Sequence, residues 1–192
     1  MRPGTSTVPK LVLVNGMPGS GKTTLAKKLA EATHTPLISK DNVKELLFDT
    51  LGTDDTEKWN TLLGNISSEM LRTLIERMVI AQEPLIAESV FHTFTTRPHV
   101  QKLIDNYGAE VLEVYVCVEP KEAMKRIQAR AESADQHPGH MDKKFVGKET
   151  PESLQEKFAE VGLGKTVYYD TSDASNDSYA EVLQAVQEFI GG

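Results

Sequence analysis

The chain is poor in the features that would mark a disulfide-stapled, membrane-spanning or strongly basic protein. Cys117 is its one cysteine among 192 residues, so no intrachain disulfide can form. That residue sits in an aliphatic run and reads as a small buried hydrophobe, not as a reactive thiol. No apolar stretch approaches the roughly 20 residues that span a bilayer, which leaves no membrane helix to expect. Met1 to Pro9 lacks the hydrophobic segment of a secretory signal and reads as a short disordered lead-in before a domain covering residues 10–192. A cytoplasmic location is the expectation. Positive charge is also short: 21 Lys and Arg stand against 28 Asp and Glu, a formal net charge of −7. A protein that grips long nucleic acid usually shows a basic excess, so this balance ranks small-molecule partners first. There is no repeat and no low-complexity tract, and oligomeric state is not legible.

The chain does have an alternation of strand and helix patterns. Leu11-Val12-Leu13-Val14 is a compact aliphatic run, as buried parallel strands are. A helix is predicted from Lys22 to Thr33, a strand over Pro36-Leu37-Ile38-Ser39, and a helix opening at Asp41. A helical region between Thr56 and Gln82 is expected to break near Gly64, its later part carrying Leu71, Leu74, Ile75, Met78 and Val79 on one face. Pro84 to Glu88 reads as the third strand and Arg97 to Tyr107 as a helix. Val111 to Val118 is the longest strand candidate. Pro120 suits the first turn of the next helix. Thr166 to Asp170 is the last strand, before a helix aligning Tyr179, Val182, Leu183, Val186, Phe189 and Ile190. The pattern predicts an α/β fold, a parallel sheet covered on both faces by helices.

One motif carries chemistry by itself. Gly16-Met17-Pro18-Gly19-Ser20-Gly21-Lys22-Thr23 satisfies the phosphate-loop pattern G-x-x-x-x-G-K-[ST], and Thr24 follows it. Its glycines let backbone N–H groups turn inward around phosphate oxygens, and the helix beginning at Lys22 adds its positive end. Lys22 is expected on the β- and γ-phosphates and the Thr23 hydroxyl on Mg²⁺. A strand before and a helix after are the context this motif requires. ATP and Mg²⁺ are therefore the expected ligands.

Four stretches together carry a family resemblance: the loop Gly16 to Thr23, the segment Ser39-Lys40-Asp41-Asn42-Val43-Lys44, the pair Arg126 and Arg130 with His137-Pro138-Gly139-His140, and the strand end Tyr169-Asp170-Thr171. Through them the chain resembles the small P-loop kinases grouped around polynucleotide 5′-kinases, chloramphenicol-phosphotransferase-like enzymes and zeta-toxin-like kinases. The resemblance implies a five-stranded parallel sheet with a mobile helical lid, here about residues 126–150. It also implies that Asp41 is the base accepting the proton of the attacking hydroxyl. Read alone, Asp41 is a helix cap; together with the phosphate loop it reads as the base.

The resemblance implies that Arg126 and Arg130, four apart on one helix face, are lid arginines on the transferred phosphoryl group. Kinases of this group often have arginine where Lys44 stands. Lysine keeps the charge but loses the bidentate fork. Glu88, at a strand end, is expected near the metal or the acceptor. His137 and His140 straddle Pro-Gly and suit lid structure or phosphate contact better than zinc. Asp170 and Thr171 belong beside the adenine. Arg72, His92 and Arg97 are candidate acceptor contacts. Phosphoryl transfer to the hydroxyl of a nucleoside, sugar or antibiotic-like molecule leads. A polynucleotide or toxin-type kinase and an ATP-driven switch are the alternatives.

Overall fold

The computed structural model describes residues 8–52, 57–133, 137, 139–140, 150, 157–172 and 178–192. Its elements run β1 (Lys10–Asn15), α1 (Lys22–Thr33), β2 (Leu37–Ser39), α2 (Lys40–Leu51), α3 (Glu57–Ile80), β3 (Leu85–Glu88), α4 (Thr93–Tyr107), β4 (Glu110–Cys117), α5 (Pro120–Glu132), β5 (Lys165–Asp170) and α6 (Tyr179–Gly191). Most of the expected lead-in, residues 1–7, and residues 134–136, 138 and 141–149 of the expected lid lie outside the described residues. Pro9 is buried, and its carbonyl accepts the Glu110 N–H at 2.9 Å.

The five strands form one sheet in the order β2-β3-β1-β4-β5. All four pairings are parallel, as expected. Central β1 explains its own composition: Leu11, Val12, Leu13 and Val14 are all fully buried, because helices cover both faces. Leu11 and Leu13 join Leu71, Ile75 and Val79 of α3 and Val100 and Leu103 of α4. Val12 and Val14 face the opposite way, onto Leu25 and Leu29 of α1 and Val182 and Val186 of α6. Each such side chain contributes about 1.5–3 kcal/mol on leaving water. The result is a three-layer α/β fold, whose sheet ends at Asn15, Ser39, Glu88, Cys117 and Asp170 along one edge. Open α/β folds bind their ligands at that carboxyl edge.

Three local expectations need correction. α3 runs unbroken through Gly64. A Cβ there would make only ordinary contact, 4.0 Å from Lys44 Cε of α2, so packing does not demand the glycine, and the packed helix carries its propensity cost without breaking. α4 begins at Thr93, a turn before Arg97, and carries Pro98 inside it. Leu74 is 38% exposed, while Leu71, Ile75 and Val79 are buried, so the apolar face is narrower than the spacing suggests.

A buried carboxylate ties the sheet to the chain beyond it. Glu113 in β4 is fully buried. Its Oε1 accepts from Asn15 Nδ2 and from the Val161 N–H, both at 2.9 Å, and its Oε2 from the Gly162 N–H at 3.0 Å. Asn15 Oδ1 in turn accepts from Gly16 N–H at 2.8 Å and Phe91 N–H at 3.0 Å. One amide thus positions the start of the glycine loop and the segment after β3.

Candidate active site

The loop between β1 and α1 depends on its glycines. Gly19 and Gly21 sit at φ +81° and +88°, where other residues are strained. A Cβ on Gly16 would come within 2.6 Å of Val116 O, and one on Gly19 within 2.8 Å of Ala123 O. Met17 and Pro18 are buried, Met17 in an apolar cluster with Val118, Ala123 and Ile127. The loop is therefore seated on α5 from below. Ser20 Oγ is buried with no hydrogen-bond partner. Thr24 is exposed on the first turn of α1. This donor set, backbone amides freed of Cβ at a helix start with a lysine, suits a polyphosphate.

Lys22 is 7% exposed and faces two carboxylates. Burial lowers the pKa of its ammonium, and Glu88 and then Asp41 oppose that shift. Burial raises Glu88, opposed chiefly by Lys22 and by the Ser39 hydroxyl, while Asp41 pushes it further up. Ser39 Oγ donates to Glu88 Oε2 at 2.5 Å and Thr23 Oγ1 to Glu88 Oε1 at 3.3 Å. The pairing of Ser39 with Glu88 across β2 and β3 brings this about. Asp41 lies in the first turn of α2, whose N-cap is Ser39, so capping does not explain Asp41. Thr23 and Glu88 together make an oxygen donor pair of the kind Mg²⁺ takes.

The two arginines separate. Arg126 is fastened to the end of β5 and to the glycine loop: Nη2 donates to Thr171 O at 2.7 Å, Nη1 to Thr171 Oγ1 at 3.0 Å and to Gly19 O at 3.4 Å. Thr171 Oγ1 donates to Ser20 O at 2.8 Å, stitching the end of β5 to the loop. Asp170 turns instead to its own chain and accepts the Ser172 N–H at 2.8 Å. Arg130 is exposed, close enough to Lys22 to lower its pKa. His137 and His140 do not turn to the loop. His137 Nε2 lies 3.0 Å from Asp49 Oδ1 and His140 Nε2 2.6 Å from Glu45 Oε1, both on α2.

At Lys40 and Ser89, just past the ends of β2 and β3, opens a cavity of about 570 Å³, walled by α2, α3 and α4. Lys44, Arg72 and His92 line it. Arg97 does not: its Nη1 donates to Val161 O at 3.5 Å, on the far side of α4. His99 and Asn60 line the cavity too and escaped the sequence reading. His99 Nε2 and Asn60 Oδ1 are buried without a partner. His99 stands one residue past Pro98, two from the arginine that drew attention, and only the cavity wall reveals it. Among the described residues no group of three metal-ligating side chains occurs, and no helix is long and apolar enough to cross a membrane.

Solved structures share this build. A candidate kinase from Chloroflexus aurantiacus J-10-fl is 25% identical, with a TM-score of 0.81 over 96% of this chain and 99% of its own. Kti12 of Chaetomium thermophilum, solved with ADP-AlF3, is 17% identical, with a TM-score of 0.63 over 96% and 100%. Shikimate kinase from Acinetobacter baumannii, solved with shikimate, is 19% identical, with a TM-score of 0.52 over 95% and 94%. No curated protein has a significantly similar sequence. The family described as the AAA domain matches residues 11–158, and with a glycine loop, buried lysine and parallel sheet of this kind the chain belongs to that family, as a P-loop protein of kinase-like build.

Proposed function

We propose that this protein is an ATP-dependent phosphotransferase that moves the γ-phosphoryl group of ATP onto a hydroxyl of a small molecule. The observation that carries the reading is the placement of three things on one sheet edge. Buried Lys22 of the phosphate loop faces the carboxylates Asp41 and Glu88 there, and a cavity of about 570 Å³ opens at their chain neighbours Lys40 and Ser89. A hydrolytic switch needs the loop but has no use for a walled acceptor cavity.

The loop amides and Lys22 hold the β- and γ-phosphates, and Thr23 with Glu88 holds Mg²⁺, which neutralises phosphate charge when bound. Asp41 orients the acceptor hydroxyl and takes its proton late, since transfer is mostly positioning and charge stabilisation. Arg130, exposed near Lys22, supplies charge to the transferred group. Arg126 and Thr171 shape the nucleotide side. Within the family, the same residues support a place near the polynucleotide-kinase, chloramphenicol-phosphotransferase and zeta-toxin-like enzymes, and the net charge of −7 favours a small-molecule acceptor over a polynucleotide.

The test is a mass-gain screen for γ-phosphate transfer over hydroxyl compounds, repeated with Asp41→Asn. That variant keeps ATP affinity and loses about 10²- to 10⁴-fold in turnover, the span of general-base catalysis. Unchanged turnover overturns the assignment of Asp41. Rapid hydrolysis that no acceptor accelerates indicates a nucleotide switch instead.

A further inference from the structure

The acceptor cavity is electropositive in an acidic chain. Lys40, Lys44 and Arg72 line it against one carboxylate, Glu69, although the whole protein carries a formal charge of −7. Its two ends differ. Lys40 adjoins Asp41 at the edge where transfer is proposed, while Arg72 on α3 faces α4, near enough for its charge to act on His99. Apolar Leu71, Ile75 and Val100 lie between α3 and α4 at the cavity's base.

Arg72 is paired in a way that a ligand can replace. Its Nη2 lies 2.9 Å from Glu69 Oε1, one turn away on the same helix. The Glu69 side chain is 71% exposed and that of Arg72 33%, so the partner is the solvated member. Such exposed pairs contribute little and exchange readily. The planar guanidinium fork matches a carboxylate or phosphate at two points, which the lysine at position 44 cannot do. His99 Nε2 beside it, and Asn60 Oδ1 more than three turns earlier on α3, are buried polar atoms without partners that line the same cavity and are suited to hydroxyls.

Resting on the phosphotransfer reading, we propose that the acceptor is a small polyhydroxylated anion, a carboxylate or phosphate ester. Its anionic group takes the place of Glu69 on Arg72, while its reacting hydroxyl lies toward Asp41. A net-neutral sugar or nucleoside leaves the Arg72 end without a counterpart other than Glu69.

Matched pairs test this by calorimetry: aldonic and uronic acids and sugar phosphates, each beside its neutral polyol, titrated into the full chain. The expected result is preference for at least one anionic member, weakened on the order of ten- to a hundredfold in Arg72→Gln. Arg72→Lys should recover part of that loss and Glu69→Gln should tighten binding. Mg·ATP affinity, measured on the same samples, stays unchanged in all three variants. Neutral members binding as well as anionic ones, an anion bound equally by Arg72→Gln, or binding confined to a 5′-hydroxyl oligonucleotide each overturns the inference. Loss of Mg·ATP binding by the native chain would sink the phosphotransfer reading instead, so the two failures are distinct.

Discussion

Thr23 Oγ1 donates to Glu88 Oε1 at 3.3 Å, joining the last residue of the glycine-loop motif to the carboxyl end of β3. Ser39 holds the other oxygen of Glu88. In the proposed reading this buried carboxylate takes Mg²⁺ together with the Thr23 hydroxyl. Glu88→Gln should therefore raise the Mg²⁺ concentration needed for half-maximal transfer, or lower activity, by about 10- to 100-fold. A magnesium titration of turnover checks it; coincident curves for native and variant enzyme remove Glu88 from the metal site.

The glycine positions separate space from backbone strain. Gly19→Ala adds a Cβ 2.8 Å from Ala123 O at φ +81°, whereas Gly108→Ala, at φ +66°, meets nothing within 4 Å. Gly108→Ala should cost about 1 kcal/mol from the left-handed backbone alone and leave nucleotide binding intact. Gly19→Ala should cost more and abolish it. Chemical denaturation with nucleotide titration reads both.

Arg126 should act on nucleotide binding and not on the transfer step, because its guanidinium is committed to Thr171 and Gly19. Arg126→Ala is expected to raise KM for ATP by about tenfold or more, the scale of a lost charged hydrogen bond, with kcat changed less. A fall in kcat at constant KM would return Arg126 to the phosphoryl group. The same kinetics on Arg130→Ala should show the opposite split.

Acid should weaken the fold through His99. Burial, reinforced by Arg72, holds its imidazole below the usual histidine range, against Glu76 and Glu69. With the folded pKa lowered, the native state binds fewer protons than the unfolded chain. The His99 contribution to stability is therefore present above the usual histidine pKa of about 6.5 and is lost as pH falls below it. His99→Gln should flatten that part of the pH–stability curve relative to native protein. Parallel curves would show that His99 does not titrate differently on unfolding.

Much of this site is local in sequence and so was readable there. Leu11 to Val14 and the motif after it need only neighbours, and α1 spans Lys22–Thr33 as its pattern implies. The strand ends fell into place because a parallel sheet aligns them. What escaped depends on distant partners. Nothing near Glu113 announces that its carboxylate meets amides about fifty residues away, at Val161 and Gly162. Gly64 looks like a helix break, but α3, packed against α2, continues through it. Arg97 and His99 differ by two residues, so on a helix they point apart, and only the packing of α3 on α4 selects the histidine.

The account stands on the loop amides and Lys22 enclosing a triphosphate. Calorimetric titration of ATP in millimolar magnesium, on the native chain and on Lys22→Met, measures this directly. Saturable binding by the native protein, weakened at least tenfold by the substitution, is the predicted result. No detectable binding, or equal binding by Lys22→Met, contradicts it.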